Sequence, residues 1–268
     1  MKKTILFLML VLFLLFSSCS FDPDNIIPPK LNSKVKPIYD QLSELAAINI
    51  KWLADHDGWI QVVSIPSPEG IIKFTYQERW THFTEDSKTC LEEMWIIRRT
   101  KNDEDGQLII LTSNGYKGDV IKLRQTVYFN DSTEGINKKP VKCLISDRSM
   151  PLNDLNAILK NMQFIQEANY REDIYNGVEV IIIEIHYRGD DTDQLGTPQN
   201  AIGKKETLYY DKSTGNRIRL DLAIEYPNEV WSGSTFVDYE FFYFENLPES
   251  IQKKFDNSIE ELMYYLDL

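Results

Sequence analysis

The sequence predicts an α+β fold that is mainly β: one large, curved, antiparallel sheet, left unclosed as a half-barrel and covered by a few helices. Three observations lead there. From Val178 to Phe244 the chain holds four strand-length runs (Val178 to Ile185, Glu206 to Asp211, Arg217 to Tyr226, Thr235 to Phe244), each rich in β-branched or aromatic residues. Strand-length runs also follow one another from Gly58 to Ile145, separated by short polar turns with no helix between them, which favours an antiparallel sheet over βαβ units. Helical spacing is confined to a few places outside these blocks.

The N-terminus reads as an address. Met1-Lys2-Lys3 precedes a short apolar stretch, Thr4 to Phe16, and then Ser17-Ser18-Cys19. A cationic start, an apolar segment and small residues before a cut make a secretory signal, and the stretch is too short to span a hydrocarbon core of about 30 Å comfortably. Phe16-Ser17-Ser18-Cys19 resembles the bacterial lipobox, which would make residues 1–18 a lipoprotein signal peptide and Cys19 the lipid-bearing first residue. Residues 19–34, broken by Asp22-Pro23-Asp24 and Pro28-Pro29, read as a tether, and residues 35–268 as a single domain. The expected location is the bacterial cell envelope, lipid-anchored, facing the periplasm or the exterior.

The formal net charge is −12. So acidic a chain repels phosphate backbones, which disfavours nucleic acid as a partner, and it offers anionic lipid no basic face. Membrane contact is therefore expected through the anchor.

Taken in order, Ser33 to Ala54 is an amphipathic helix with Pro37 near its start, where a missing N–H costs little. Strand candidates follow at Gly58 to Ile65, Ile71 to Phe83, Cys90 to Arg99, Gln107 to Thr112, Asp119 to Leu123, Gln125 to Phe129 and Val141 to Ile145. Pro151 to Gln166 interrupts them at helical spacing, with Ser149 as its cap. After the closing meander, Ser258-Ile259-Glu260-Glu261 begins a short amphipathic helix with a capping-box pattern.

Little in the chain has the pattern of catalytic chemistry. His56, His82 and His186 have no metal-ligand spacing, and no nucleophile elbow, P-loop or dinucleotide fingerprint occurs. Asp190-Asp191-Thr192-Asp193 lacks the calcium-loop pattern and reads as a solvated loop. Asn130-Asp131-Ser132 fits a glycosylation triplet but reads as a turn. Glu184, Glu206 and Asp238 are the strand carboxylates from which an acid–base pair would have to come. The expectation is that the protein is not an enzyme and holds no metal or cofactor. Cys90 and Cys143 form no Cys-x-x-Cys pair; an oxidising compartment permits a disulfide between them, and two buried thiols are the equal alternative.

Aromatic residues stand out instead. In Ile71 to Phe83, strict alternation puts Phe74, Tyr76 and Trp80 on one face, opposite Gln77 and Arg79. Trp95 lies in the next strand. In Arg217 to Tyr226, alternation puts Ile218, Leu220, Leu222 and Ile224 on one face and Arg217, Arg219 and Asp221 on the other. The two apolar faces are expected to share one interior, capped by the helices at 33–54 and 151–166, as either a packed core or an apolar binding cavity.

The run Leu208-Tyr209-Tyr210-Asp211-Lys212-Ser213-Thr214-Gly215-Asn216-Arg217-Ile218-Arg219-Leu220 resembles a strand, Asp-x-x-Thr-Gly hairpin and strand of the LolA/LolB-like superfamily, which includes the LppX and LprG type lipoproteins. The aromatic strand ending the Gly233 to Tyr243 segment is similar to that family as well. The resemblance implies an unclosed half-barrel with helices as its cover, and non-catalytic carriage of a lipid or acyl chain. It leaves the lid-holding Arg of LolA without a match beyond Arg79. The competing expectation is a structural or interaction lipoprotein of the same fold with a filled core and no ligand.

Overall fold

The computed structural model describes residues 31, 33–56, 58–70, 74, 76–83, 90–98, 107–112, 121–126, 134–137, 145–188, 200–228 and 230–265. Helix α1 (Lys36–Ala54) leads into a first meander of β1 (Trp59–Pro66), β2 (Tyr76–Phe83), β3 (Cys90–Arg98), β4 (Gln107–Thr112), β5 (Ile121–Thr126) and β6 (Glu134–Asn137). A 3-10 turn at Ile145–Arg148 and helix α2 (Met150–Lys160) follow. A second meander holds β7 (Ile165–Tyr175), β8 (Val178–Arg188), β9 (Gly203–Asp211), β10 (Arg217–Tyr226), β11 (Val230–Trp231) and β12 (Thr235–Phe244), and α3 (Glu249–Tyr265) ends it.

All the described strands belong to one antiparallel sheet in the order β6-β5-β4-β3-β2-β1-β12-β10-β9-β8-β7, with β11 paired to β10. The meanders join where β1 pairs with β12, from Trp59 opposite Phe244 to Pro66 opposite Val237. Among the described residues strands β6 and β7 are the two edges, so the sheet is open, as expected for a half-barrel.

Each face has its own cover. On the inner face, Ile38, Leu42 and Leu45 of α1 and Leu155 and Ile158 of α2 pack on Ile181, Ile183, Ile185, Leu208 and Tyr210. Further along, Leu53 of α1 meets Ile60, Val62 and Ile145. Apolar residues three and four apart make one stripe per helix, and the period of two gives each strand one matching face. On the outer face, Trp59, Trp80, Met94 and Ile96 are closed over by Ile251 and Phe255 of α3.

The closest local match between sequence and structure is the β9–β10 hairpin. Asp211 Oδ1 accepts hydrogen bonds from the Ser213 and Thr214 backbone N–H groups, and Thr214 Oγ1 accepts one from Asn216 N–H. Gly215 has φ +67°, and a Cβ there would run into the Leu45 carbonyl and Asn49 of α1. Asn49 Nδ2 donates to Asn216 Oδ1 at 2.7 Å, so the hairpin is a seat for α1.

Several elements differ from the sequence expectation. Ile165 to Tyr175 is an edge strand, so the second helix ends at Lys160 and does not reach Gln166. Most of this strand is exposed and polar, which hides it from an apolar-pattern reading. Ile121–Thr126 is one strand where two were expected, and Glu134–Asn137 was not anticipated. Ile145 begins a 3-10 turn instead of ending a strand. Helix α3 starts at Glu249, well before Ser258. The signal sequence, Cys19, the tether as far as residue 30, Asn130-Asp131-Ser132, residues 141–144 with Cys143, and the Asp190–Asp193 cluster lie outside the described residues.

Candidate functional site

A cavity of about 400 Å³ lies between α2 and the inner face of the sheet. Its floor comes from five strands: Val62 and Ser64 of β1, Gln77 and Arg79 of β2, Trp95 of β3, Arg217 of β10, and Val237 and Tyr239 of β12. Phe74 closes one side, and Met150, Asn153 and Asp154 of α2 form the roof.

The strand registers explain this lining. Arg79 pairs directly with Trp95 across β2–β3, so both project to the same face. Ser64 pairs with Tyr239 on β12 and with Gln77 on β2. Arg217 reaches the same face through a break in alternation. Between Arg217 and Arg219 the β9–β10 register shifts, so Arg217 pairs with Tyr210 and Arg219 with Tyr209. One extra residue in a strand reverses the faces beyond it.

One ion pair belongs to the cavity wall and a second lies near Arg79. Arg217 Nη1 lies 2.7 and 2.8 Å from the two carboxylate oxygens of Asp154 and its Nη2 donates to Tyr239 Oη at 2.9 Å, which ties α2 to two strands. Burial alone would lower the Arg217 pKa, but Asp154, with Tyr239 and Tyr210, outweighs it and holds the guanidinium above its ordinary value. Tyr210 also donates to Asp154, at 2.5 Å; burial first and then Asp154 raise its pKa. In the second pair Arg148 Nη2 donates to the fully buried Glu93 at 2.6 Å, and Thr81 Oγ1 donates to the same carboxylate.

Arg79 is different. Among the described residues no hydrogen bond or ion pair reaches it; its guanidinium lies 5.7 Å from the Trp95 ring centre, a cation–π distance. Burial lowers its pKa to about 10; Glu93 pulls it upward and Arg148 and Arg217 push it down further. It is charged at neutral pH.

The sequence-predicted interior is brought together only in part. Phe74 and Trp95 line the cavity. Tyr76 and Trp80 do not: they are on the outer face, where Trp80 packs under α3 beside Phe244 and Phe255. Phe74 is out of phase with Tyr76 and Trp80 because it precedes the described strand, which begins at Tyr76. Leu220 belongs to the core packed on α1 and α2. Leu222 and Ile224 share its face without lining the cavity, and Ile218 is at the register shift. Arg217, expected on the opposite face, is the residue the strand pattern missed, and the shift that turns it inward has no signature in composition. Arg79, the loose candidate for the lid-holding Arg of LolA, makes no bond to a helix among the described residues; the arginine bonded to α2 is Arg217.

The strand carboxylates do not assemble an acid–base pair. Glu206 is on the inner face beside Lys204 at 2.7 Å, Glu184 on the outer face 3.8 Å from Lys205, and Asp238 on the outer face 3.4 Å from Arg219. His186 Nε2 is 2.9 Å from Glu225 on the outer face, and His56 Nδ1 is 2.6 Å from the Trp52 carbonyl. Among the described residues no group of His, Cys, Asp or Glu is arranged to hold a metal ion.

Fold and site define a half-open antiparallel sheet with a cavity beneath its helical cover, the architecture that the LolA/LolB-like resemblance implies. No family model matches the sequence, and no curated protein does. Among solved structures the chain is similar to LprF from Mycobacterium bovis, with 10% identity over 75% of this chain and 92% of that one and a TM-score of 0.33. It is also similar to a chain of the Pseudomonas aeruginosa MucA/MucB complex, with 10% identity, 78% and 59% covered, and a TM-score of 0.40. A third likeness is to a DUF1329 family protein from Desulfovibrio piger, with 14% identity, 82% and 97% covered, and a TM-score of 0.28.

Proposed function

We propose that this chain is an extracytoplasmic lipoprotein, anchored through Cys19, that binds a lipid or other apolar ligand in the α2-roofed cavity without transforming it. The cavity carries this reading. It is at the small end of the range for ligand sites, about 300–1,000 Å³, and its lining sets Val62, Phe74, Trp95, Met150 and Val237 beside a larger share of polar and charged side chains. The lipobox-like segment supplies the location. No catalytic role is assigned to Glu184, Glu206 or Asp238, each of which lies beside a cation and at a different place on the sheet.

Two measurements test it. Organic extraction of the protein purified without detergent stripping should recover one ligand species per chain, chemically unchanged after storage with the protein. Cys19→Ala should release the protein from membranes, because among the described residues no helix is long and apolar enough to cross a bilayer. A mutant still membrane-bound after a high-salt wash would place the anchor elsewhere.

A structural or interaction role with no ligand has one observation in its favour. Much of the inner face, including Leu220, is filled by side chains of α1 and α2. An empty extract under several mild conditions would favour it.

A further inference from the structure

Three orphaned donors belong to residues at the cavity. Arg79 Nε, Trp95 Nε1 and Arg217 Nε are each buried, and no acceptor among the described residues pairs with them. All three belong to side chains that line the cavity. Buried donors without partners are costly, and a set made only of donors is satisfied by a group that only accepts.

The charge balance points the same way. Three guanidinium groups, Arg79, Arg148 and Arg217, interact around this space with two carboxylates, Glu93 and Asp154. Both carboxylates are already engaged, by Arg148 and Arg217. Among the described residues one positive charge is left over, on Arg79, in a chain whose formal net charge is −12. Beside it are the apolar walls of Phe74, Val62, Val237 and Trp95.

We infer that the cavity binds the oxyanion head of a single-chain amphiphile, a carboxylate or phosphate joined to an apolar body, with the Arg79 guanidinium as its ion-pair partner and the Trp95 indole N–H as a second donor. The inference rests on the binding function proposed above and names the ligand class for that site. A planar guanidinium offers a fork of donors to two oxygens at once, which neither an alcohol nor an ester accepts as well. Arg217, held by Asp154 and Tyr239, keeps the roof in place over the head group.

The test uses cis-parinaric acid and its methyl ester as fluorescent probes on the full mature chain, at a pH where the acid is ionised. The wild type should bind the acid at least tenfold more tightly than the ester, about 1.4 kcal/mol. Arg79→Met should abolish that preference while still binding the ester, and Arg79→Lys should keep part of it. Circular dichroism and melting of each variant establish that it is folded. Equal binding of acid and ester by the wild type would overturn the inference and leave the binding function standing; no binding of either would overturn both. Decyl phosphate should displace the acid where inorganic phosphate does not. Displacement by inorganic phosphate as effective as by decyl phosphate would mean a free-anion site, and the amphiphile would be wrong.

Discussion

Arg79 and Gly215 show how single residues are constrained for opposite reasons. The folded pKa of Arg79 is lowered from its ordinary value to about 10 by burial, so the charged form is disfavoured in the fold. For a group depressed in this direction the cost is fully present below about pH 10 and is relieved as the pH rises through that value, where the folded state sheds its proton before the unfolded chain does. Arg79→Met should therefore stabilise the ligand-free protein at neutral pH, on the order of 1–3 kcal/mol, read by urea unfolding. A clear loss of stability would mean that the guanidinium supports the fold. Gly215 is the reverse case, kept for structure. Gly215→Ala combines positive φ with a collision against α1, whereas Gly177, also at positive φ, has open space on the side where a Cβ would sit. The first substitution should cost well over the roughly 1–2 kcal/mol of the conformational penalty, and the second no more than that penalty. Thermal melts of the two variants side by side decide it; equal losses would mean that the hairpin does not seat α1.

Helix α2 is held by a side-chain tie as well as by its apolar stripe. The Arg217–Asp154 pair joins it to β10, with Tyr239 of β12 and Tyr210 of β9 bonded into the same cluster. Asp154→Leu alone strands a largely buried guanidinium and should cost about 3–5 kcal/mol. Arg217→Met together with Asp154→Leu should recover much of it, because a buried pair replaced by apolar side chains is often neutral. A double-mutant cycle in urea showing additive losses would deny the coupling. This tie was not legible in the sequence. Strict alternation through Arg217 to Tyr226 places Arg217 outside, and only the one-residue register shift before Arg219 brings it in. Strand β7 is hidden because an exposed edge strand needs no apolar period, and the start of α3, ahead of Ser258, because Glu249 to Lys253 is polar apart from Ile251. By contrast β10 and β12 were bounded to the residue, since each has an inner face that must be apolar against a helix or a neighbouring strand.

At the scale of the whole molecule, the sequence conveyed the plan of two meanders divided by a helix, but not how the interior is shared. The open sheet carries two apolar faces, and the aromatic strands supply both. Trp80 and Tyr76 therefore went to the α3 side, and the space between α2 and the sheet was left to a mixed set of aromatic, aliphatic and arginine side chains. Periodicity shows that a strand has two faces; it does not show which cover each will meet. The division makes a contrast between two overpacking substitutions. Leu220→Trp enters a filled core and should cost about 1–3 kcal/mol without touching the cavity. Ser64→Phe enters the cavity and should leave the melting temperature nearly unchanged.

The most direct test of a non-catalytic binder is native mass spectrometry of the mature protein, wild type and Ser64→Phe, purified gently from the envelope. The wild type should carry one amphiphile per chain that leaves as an intact species on activation in the gas phase, and Ser64→Phe should appear at its bare mass while still folded. A bare wild-type mass under all mild conditions, or a ligand kept undiminished by Ser64→Phe, would contradict the assignment of this cavity as the binding site.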